Sequence, residues 1–288
     1  MKKWLLLLTV MILLFPCITV YADGNVIINK ITDPENDFSF PEDTKLLEIY
    51  VPKIYDCDAT FIRYGEYSML LDCGGALWEE VHNMLKRLEV KELTYAFLSH
   101  PHSDHMYGFQ FVLADIRPGA FLYSYPEESI HNDLGSAPTY AALHALDLPF
   151  RRIYNGEDIE FGDIKMSVFQ RTEEHLSGNN LSSMLKVEFG ERSILFPADI
   201  QMDSQRLYVA DNAPIQADIM KAPHHGYNGI QPTFLAAVDP ELAIVTSLPA
   251  FAECVSGLKN AKIPYLFTNL GILKLTTDGQ VWLVERIK

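Results

Sequence analysis

Basic residues are scarce in this chain. Its 288 residues hold 23 Lys and Arg against 38 Asp and Glu, a formal net charge of −15 at neutral pH. That balance excludes the positive stripe on which broad nucleic-acid binding depends. Cysteine is also scarce, with four residues and no spacing that suggests a zinc ribbon. No G-x-S-x-G turn and no glycine-rich phosphate loop occurs, so neither a serine nucleophile nor a P-loop carries the chemistry. Repeats, low-complexity tracts and internal linkers are missing from residues 45–288, and one compact domain accounts for them most simply.

What is present begins with a long apolar run. Lys2 and Lys3 precede WLLLLTVMILLF, and Val20-Tyr21-Ala22 leads into the polar DGN. This is the layout of a secretory signal peptide over residues 1–22, cleaved after Ala22, and it implies a secreted protein. Pro16 before Cys17 argues against lipoprotein processing. An uncleaved Trp4–Ala22 segment approaches spanning length and would instead act as a membrane anchor. Residues 23–45 are polar and turn-rich and read as an N-terminal extension, leaving residues 46–288 as the functional domain.

Short apolar runs then alternate with helical spacing. LLEIYVP, ATFIRYG, YSMLLDC and LTYAFLSH read as strands, as do IKMSVFQ, SSMLKVEF, RSILFPAD, ADIMKAP, ELAIVTS, PYLFT and GILKLTT. ALWEEVHNMLKRLEV reads as an amphipathic helix, with further helices over Thr233–Val238 and Phe251–Lys259. Cys57 and Cys73 flank a hairpin turning near Gly65, which allows a cross-strand disulfide outside the cell; two buried free thiols are the alternative.

The chemistry concentrates in LSHPHSDHMYG at 98–108. His100 stands at the carboxyl end of a strand, where active-site loops of open sheets gather. His100 and His102 at i, i+2 point the same way in extended chain. Asp104 and His105 follow as the chain turns, better placed to serve a second metal, and Gly108 permits close backbone approach behind them.

His100-x-His102-x-Asp104-His105 with Gly108 resembles the signature of the metallo-β-lactamase fold superfamily. SILFPAD ending in Asp199 and KAPHHG with His224 and His225 fit the same pattern, although Ala198 stands where that family usually has glycine. GNNLSSMLKVEFGERSILFPAD, ADIMKAPHHG and FTNLGILKLTTDGQ resemble one branch, the extracellular hydrolase domain of competence-type DNA-uptake proteins and related phosphodiesterases. Tyr227 and Asn228 depart from that branch's serine. The resemblance covers about residues 46–286. It implies an α/β fold, a four-layer αββα sandwich, and a binuclear metal-dependent hydrolase.

The same resemblance implies a ligand set. His100, His102 and Asp199, with either His175 of HLSG or else Asn180 or a water, would hold one metal. Asp104, His105, Asp199 and one of His224 and His225 would hold the other, with His225 favoured as ligand and His224 facing substrate. Asp104, Asp199 and His224 are thus the catalytic candidates, and a hydroxide between the metals would be the nucleophile. Imidazole and carboxylate are ordinary zinc ligands, so two zinc ions are expected, with manganese as the other candidate. Asp72 in LLDCGG resembles a carboxylate that orients a metal-bound histidine. Asp58 and Asp218 fit the branch pattern as supporting or structural groups. Lys221 either neutralises an anionic substrate or stands in solvent, and Tyr227 either lines the pocket or packs. His82, His131 and His144 lie outside any motif and read as surface residues. Three functions follow: hydrolysis of a small or exposed phosphodiester, hydrolysis of lactone, thioester or β-lactam substrates, or binding without chemistry.

Overall fold

A computed structural model describes residues 27–126 and 136–287. The leader read at residues 1–22 and the surface histidine His131 lie outside the described residues.

Two sheets form the centre. The first runs, in spatial order, β1 (Ile27–Asn29), β16 (Trp282–Ile287), β15 (Ile272–Thr277), β2 (Leu47–Val51), β3 (Ala59–Tyr64), β4 (Tyr67–Cys73), β5 (Glu92–Leu98), β6 (Arg117–Tyr123) and β7 (Phe150–Arg152). The second runs β14 (Tyr265–Phe267), β13 (Leu242–Val245), β12 (Ile219–Lys221), β11 (Arg192–Phe196), β10 (Met184–Phe189), β9 (Ile164–Phe169) and β8 (Asp158–Phe161). Strands of both sheets alternate between two buried faces. On β13, Leu242 and Ile244 enter the core between the sheets, while Ala243 and Val245 enter a second core under helices.

Helices cover each outer face. α1 (Trp78–Arg87), α2 (Ser103–Met106), α3 (Phe109–Asp115) and α4 (Ala137–Ala145) close over the first sheet, and α5 (Met202–Ala210), α6 (Pro232–Val238) and α7 (Cys254–Asn260) over the second. α1 shows why: Val81, Met84 and Leu85 bury one stripe at helical spacing. Glu79 and Glu80 in its first turn and Lys86 and Arg87 in its last complement the helix dipole. The result is the expected helix–sheet–sheet–helix sandwich. The extension is not wholly outside it, because β1 pairs in parallel with β16.

The β3–β4 hairpin turns at Gly65-Glu66, as the spacing predicts, yet its cysteines do not meet across it. The turn has two residues, and an irregularity at Ala59/Thr60 shifts the register further, so Cys73 faces Ala59. Cys57, Cys73 and Cys254 are buried free thiols.

Parallel strands decide where function can sit. β4, β5 and β6 run parallel in one sheet, and β11 through β14 in the other. The loops after β4, β5, β11, β12 and β13 bring their polar residues together at one end of the sandwich.

Candidate metal centre

Backbone conformation aims the side chains at this end. Asp72 at the close of β4, Ala198 before Asp199, and both His224 and His225 adopt left-handed φ near 50°. Each such non-glycine residue carries a strain of roughly 1–2 kcal/mol, and four of them gather here. Gly226 follows at φ 89°, where a Cβ would meet the Cys254 sulfur at 2.5 Å.

One group of donors is deeply buried. His105 Nε2 lies 3.2 Å from Asp199 Oδ1 and 3.7 Å from Asp104 Oδ2. His225 Nε2 lies 2.9 Å from Asp104 Oδ2 and 3.3 Å from Asp199 Oδ2. Ligand atoms bonded to a tetrahedral zinc at 2.0–2.2 Å stand roughly 3.4 Å apart, so this spacing fits a metal. Two of the atoms, His105 Nε2 and Asp199 Oδ1, are buried with no hydrogen-bond partner. A buried donor set left unsatisfied in this way fits a cation that completes it.

The backs of both rings are held. His105 Nδ1 donates to Asp72 Oδ2 at 2.7 Å, and Asp72 also accepts from Ser99 N at 2.8 Å and Ser99 Oγ at 2.7 Å. His225 Nδ1 donates to Asp58 Oδ1 at 3.2 Å, beside Thr246 Oγ1, which donates to the same oxygen at 2.7 Å. Carboxylates behind histidines fix the ring and leave Nε2 for metal. Asp58, His105, Asp199 and His225 bring candidate ligand atoms within 4.8 Å of one another. Asp58 nevertheless belongs behind the ring, because Lys221 takes one of its oxygens and His225 and Thr246 the other.

Electrostatics agree. Burial opposes charge on His105 and His225, but Asp199 and its neighbouring carboxylates outweigh it and raise both well above the usual histidine range. Burial would likewise raise Asp104 and Asp199, and the same histidines hold both below the usual carboxylate range. This half of the centre therefore demands positive charge.

The second group differs. His100 Nε2 lies 3.1 Å from His102 Nδ1 and 3.9 Å from Asp199 Oδ2. Burial, reinforced by His105, pushes His100 well below its usual range, so its imidazole is neutral, the metal-binding form. Its Nδ1 meets only the Ser99 hydroxyl, at 3.1 Å, and His102 is half-buried. His175 is exposed and makes no hydrogen bond or ion pair with the cluster. Asn180, the substitute considered for it, is committed elsewhere: its Oδ1 accepts from Gln201 N and Ser204 N at the start of α5.

His224 stands at the edge of the buried half. Its Nε2 is 3.9 Å from Asp199 Oδ2 and 3.2 Å from the Asn179 carboxamide, and its Nδ1 is 3.1 Å from Asn228 and 3.4 Å from Gln201. A neutral imidazole carries one N–H, so one of these amides must present oxygen. The buried, unpartnered Oδ1 of Asn179 is the atom that would gain by it. Burial lowers the pKa of His224. Motif reasoning assigned none of these three roles: Asn179 lay within the GNNLSS stretch without a role of its own, Gln201 sits in no motif, and Asn228 stood out only as a departure from the branch's serine.

Other expectations resolve as follows. Lys221 is neither solvated nor in a position to meet substrate, being 5% exposed and paired with Asp58. Asp218 accepts from Ser193 N and Trp282 Nε1 and ties the two sheets together. The Tyr227 ring packs against both His224 and His225, and its hydroxyl donates to Asp56. His82 pairs with Asp115, and the ring of His144 stacks on Phe150. Among the described residues no helix is long and apolar enough to cross a membrane.

Comparison with known proteins supports this picture. Residues 53–243 match the model of the metallo-beta-lactamase superfamily. No curated protein sequence matches the chain. Among solved structures, CmlA, a diiron beta-hydroxylase from Streptomyces venezuelae, superposes with a TM-score of 0.54 at 16% identity, over 87% of this chain and 55% of that one. This chain thus spans about half of CmlA. The metallo-beta-lactamase fold protein YhfI from Bacillus subtilis matches at 13% identity and a TM-score of 0.48, over 77% of this chain and 95% of that one. At such identities the likeness to solved structures concerns the fold alone.

Proposed function

The chain belongs to the metallo-beta-lactamase superfamily and carries the donor set of a metal-dependent hydrolase; from that premise we propose a secreted, zinc-dependent phosphodiesterase. His100, His102 and Asp199 would hold one zinc, and Asp104, His105, Asp199 and His225 would hold the other. Bound metal supplies a water whose pKa falls to about 7, which makes a nucleophile available at neutral pH.

The observation that carries the phosphodiester reading is the wall of uncharged donors beside Asp199. From three loops, Asn179 comes within 3.2 Å of His224 Nε2, and Asn228 and Gln201 within 3.1 and 3.4 Å of its Nδ1. Non-bridging phosphoryl oxygens need several donors at once, and carboxamide N–H groups with an imidazole N–H provide them without a fixed charge. His224, whose pKa burial lowers, would turn its one N–H from the Asn179 carboxamide oxygen to a phosphoryl oxygen or to the departing alkoxide. Asp104 and Asp199 keep the buried half anionic so that cations are retained there. The leader at residues 1–22 supports export, and the acidic chain favours a small or exposed substrate over nucleic-acid coating.

The test is hydrolysis of bis(p-nitrophenyl) phosphate by the metal-loaded chain, with Asp199→Ala beside it and the metal content measured. Turnover that disappears in the variant supports the reading. Metal bound at two per chain with no diester turnover, but with hydrolysis of a lactone, thioester or β-lactam, replaces it. Because CmlA carries iron on this fold, metal analysis also decides between zinc, manganese and iron.

A further inference from the structure

Lys221 ends β12, three residues before the histidine pair, and its side chain is enclosed. Its ammonium pairs closely with Asp58 Oδ2, lies 3.7 Å from Asp199 Oδ1, and donates to Ala198 O at 3.4 Å. Asp58, Asp72, Asp104 and Asp199 share this small volume. Lys221 is the one Lys or Arg within ion-pair distance of any of them among the described residues.

We propose that Lys221 is a built-in cation of the metal centre, a positioning residue that acts through Asp58 on His225. The two oxygens of Asp58 have separate partners: Oδ2 meets Lys221, and Oδ1 meets His225 Nδ1 and Thr246 Oγ1. Gripping Oδ2 fixes the rotation of the carboxylate and therefore the direction from which Oδ1 holds the imidazole. The ring then presents Nε2 toward Asp104 and Asp199 before any metal arrives. The contact to Ala198 O ties the same ammonium to the strained residue that sets Asp199. A small cavity of about 20 Å³ adjoins the ammonium, lined by Asp58, Asp72, Ser99 and Thr246 among others. That is room for one water with polar partners. Buried carboxylates left without such a cation would repel one another and turn away.

The inference rests on the metal-centre reading and on no particular substrate. Its test uses the full chain as wild type, Lys221→Met, Asp58→Asn and the double variant. Zinc dissociation constants come from competition with a chromophoric chelator, and melting temperatures are taken without metal. Lys221→Met should weaken the tighter zinc by about 10–100-fold, as losing a ligand's support does. Asp58→Asn should match it, and the double variant should be no weaker than Asp58→Asn alone. A merely structural lysine would lower the metal-free melting temperature and leave the zinc constants unchanged. Unchanged constants, or losses that multiply in the double variant, overturn the proposal. If Lys221→Met does not fold because Asp58 is left unpaired, the double variant carries the comparison, since it removes both charges. Zinc binding weaker there than in Asp58→Asn would then overturn it. Wild type that binds no zinc would overturn the metal centre and this inference together, whereas a metal-replete wild type with an unaffected variant overturns only the inference.

Discussion

The two halves of the centre share Asp199 and little else. Around His105 and His225 both rings are buried, and each is backed by a carboxylate, Asp72 or Asp58, that is itself anchored. Around His100 and His102 the support is one serine hydroxyl, one ring is half-buried, and His175 does not join them. One half is anchored through carboxylates behind its rings; the other lacks that anchoring and adjoins the carboxamides at His224. On the proposed reading the buried half would keep its ion and the open half would meet substrate.

The difference can be broken at its shared member. Asp199→Ala should release both metals and lower turnover well beyond the roughly 100-fold that marks loss of an outer support, with the fold retained by circular dichroism. Two metals still bound, with activity intact, would end the binuclear assignment. Asp72→Asn is more selective. It should weaken the metal at His105 by about 10–100-fold and the other metal less, since His100 reaches Asp72 only through Ser99. Equal losses at both would show that the halves are not separately supported. Titrating the loaded wild type with a chelator should yield a one-metal species that keeps the ion at His105 and His225; simultaneous loss would erase the contrast.

Smaller effects sharpen it. Ala198→Gly relieves a left-handed alanine. Because glycine costs unfolded-state entropy in return, stability should rise by no more than about 1 kcal/mol, read from urea unfolding. His175→Ala should change stability by less than about 0.5 kcal/mol and leave two metals bound; loss of one would bring His175 back into the open half.

Much of this was readable in advance, for identifiable reasons. The runs ELAIVTS and YSMLLDC became strands β13 and β4 because apolar stretches of that length bury on both faces of a layered sheet. The density of HPHSDH announced a metal cluster, and its spacing separated His100 and His102 from Asp104 and His105. Strand β6 was hidden by Pro118 and Gly119, which interrupt the apolar pattern at its exposed start. Strand β8 was hidden by its length of four residues. Lys221 was misread because its pairing with Asp58 joins a strand end to a loop far away in the chain, and local sequence cannot report such a contact. The contacts of the carboxamides with His224 were hidden for the same reason, although Asn179 and Asn228 lie in stretches that stood out.

Three thiols surround this end of the sandwich. Cys73 follows Asp72, the Cys57 sulfur packs near Gly74, and the Cys254 sulfur sits under Gly226 behind the histidine pair. None is accessible while the histidines hold their places, so a thiol reagent can react only when the chain breathes there. Their labelling rates therefore act as clocks for local opening. Cys254 times the loop that carries His225, and Cys57 and Cys73 time the hairpin that carries Asp72. Metal should slow all of them without a single new covalent bond being made.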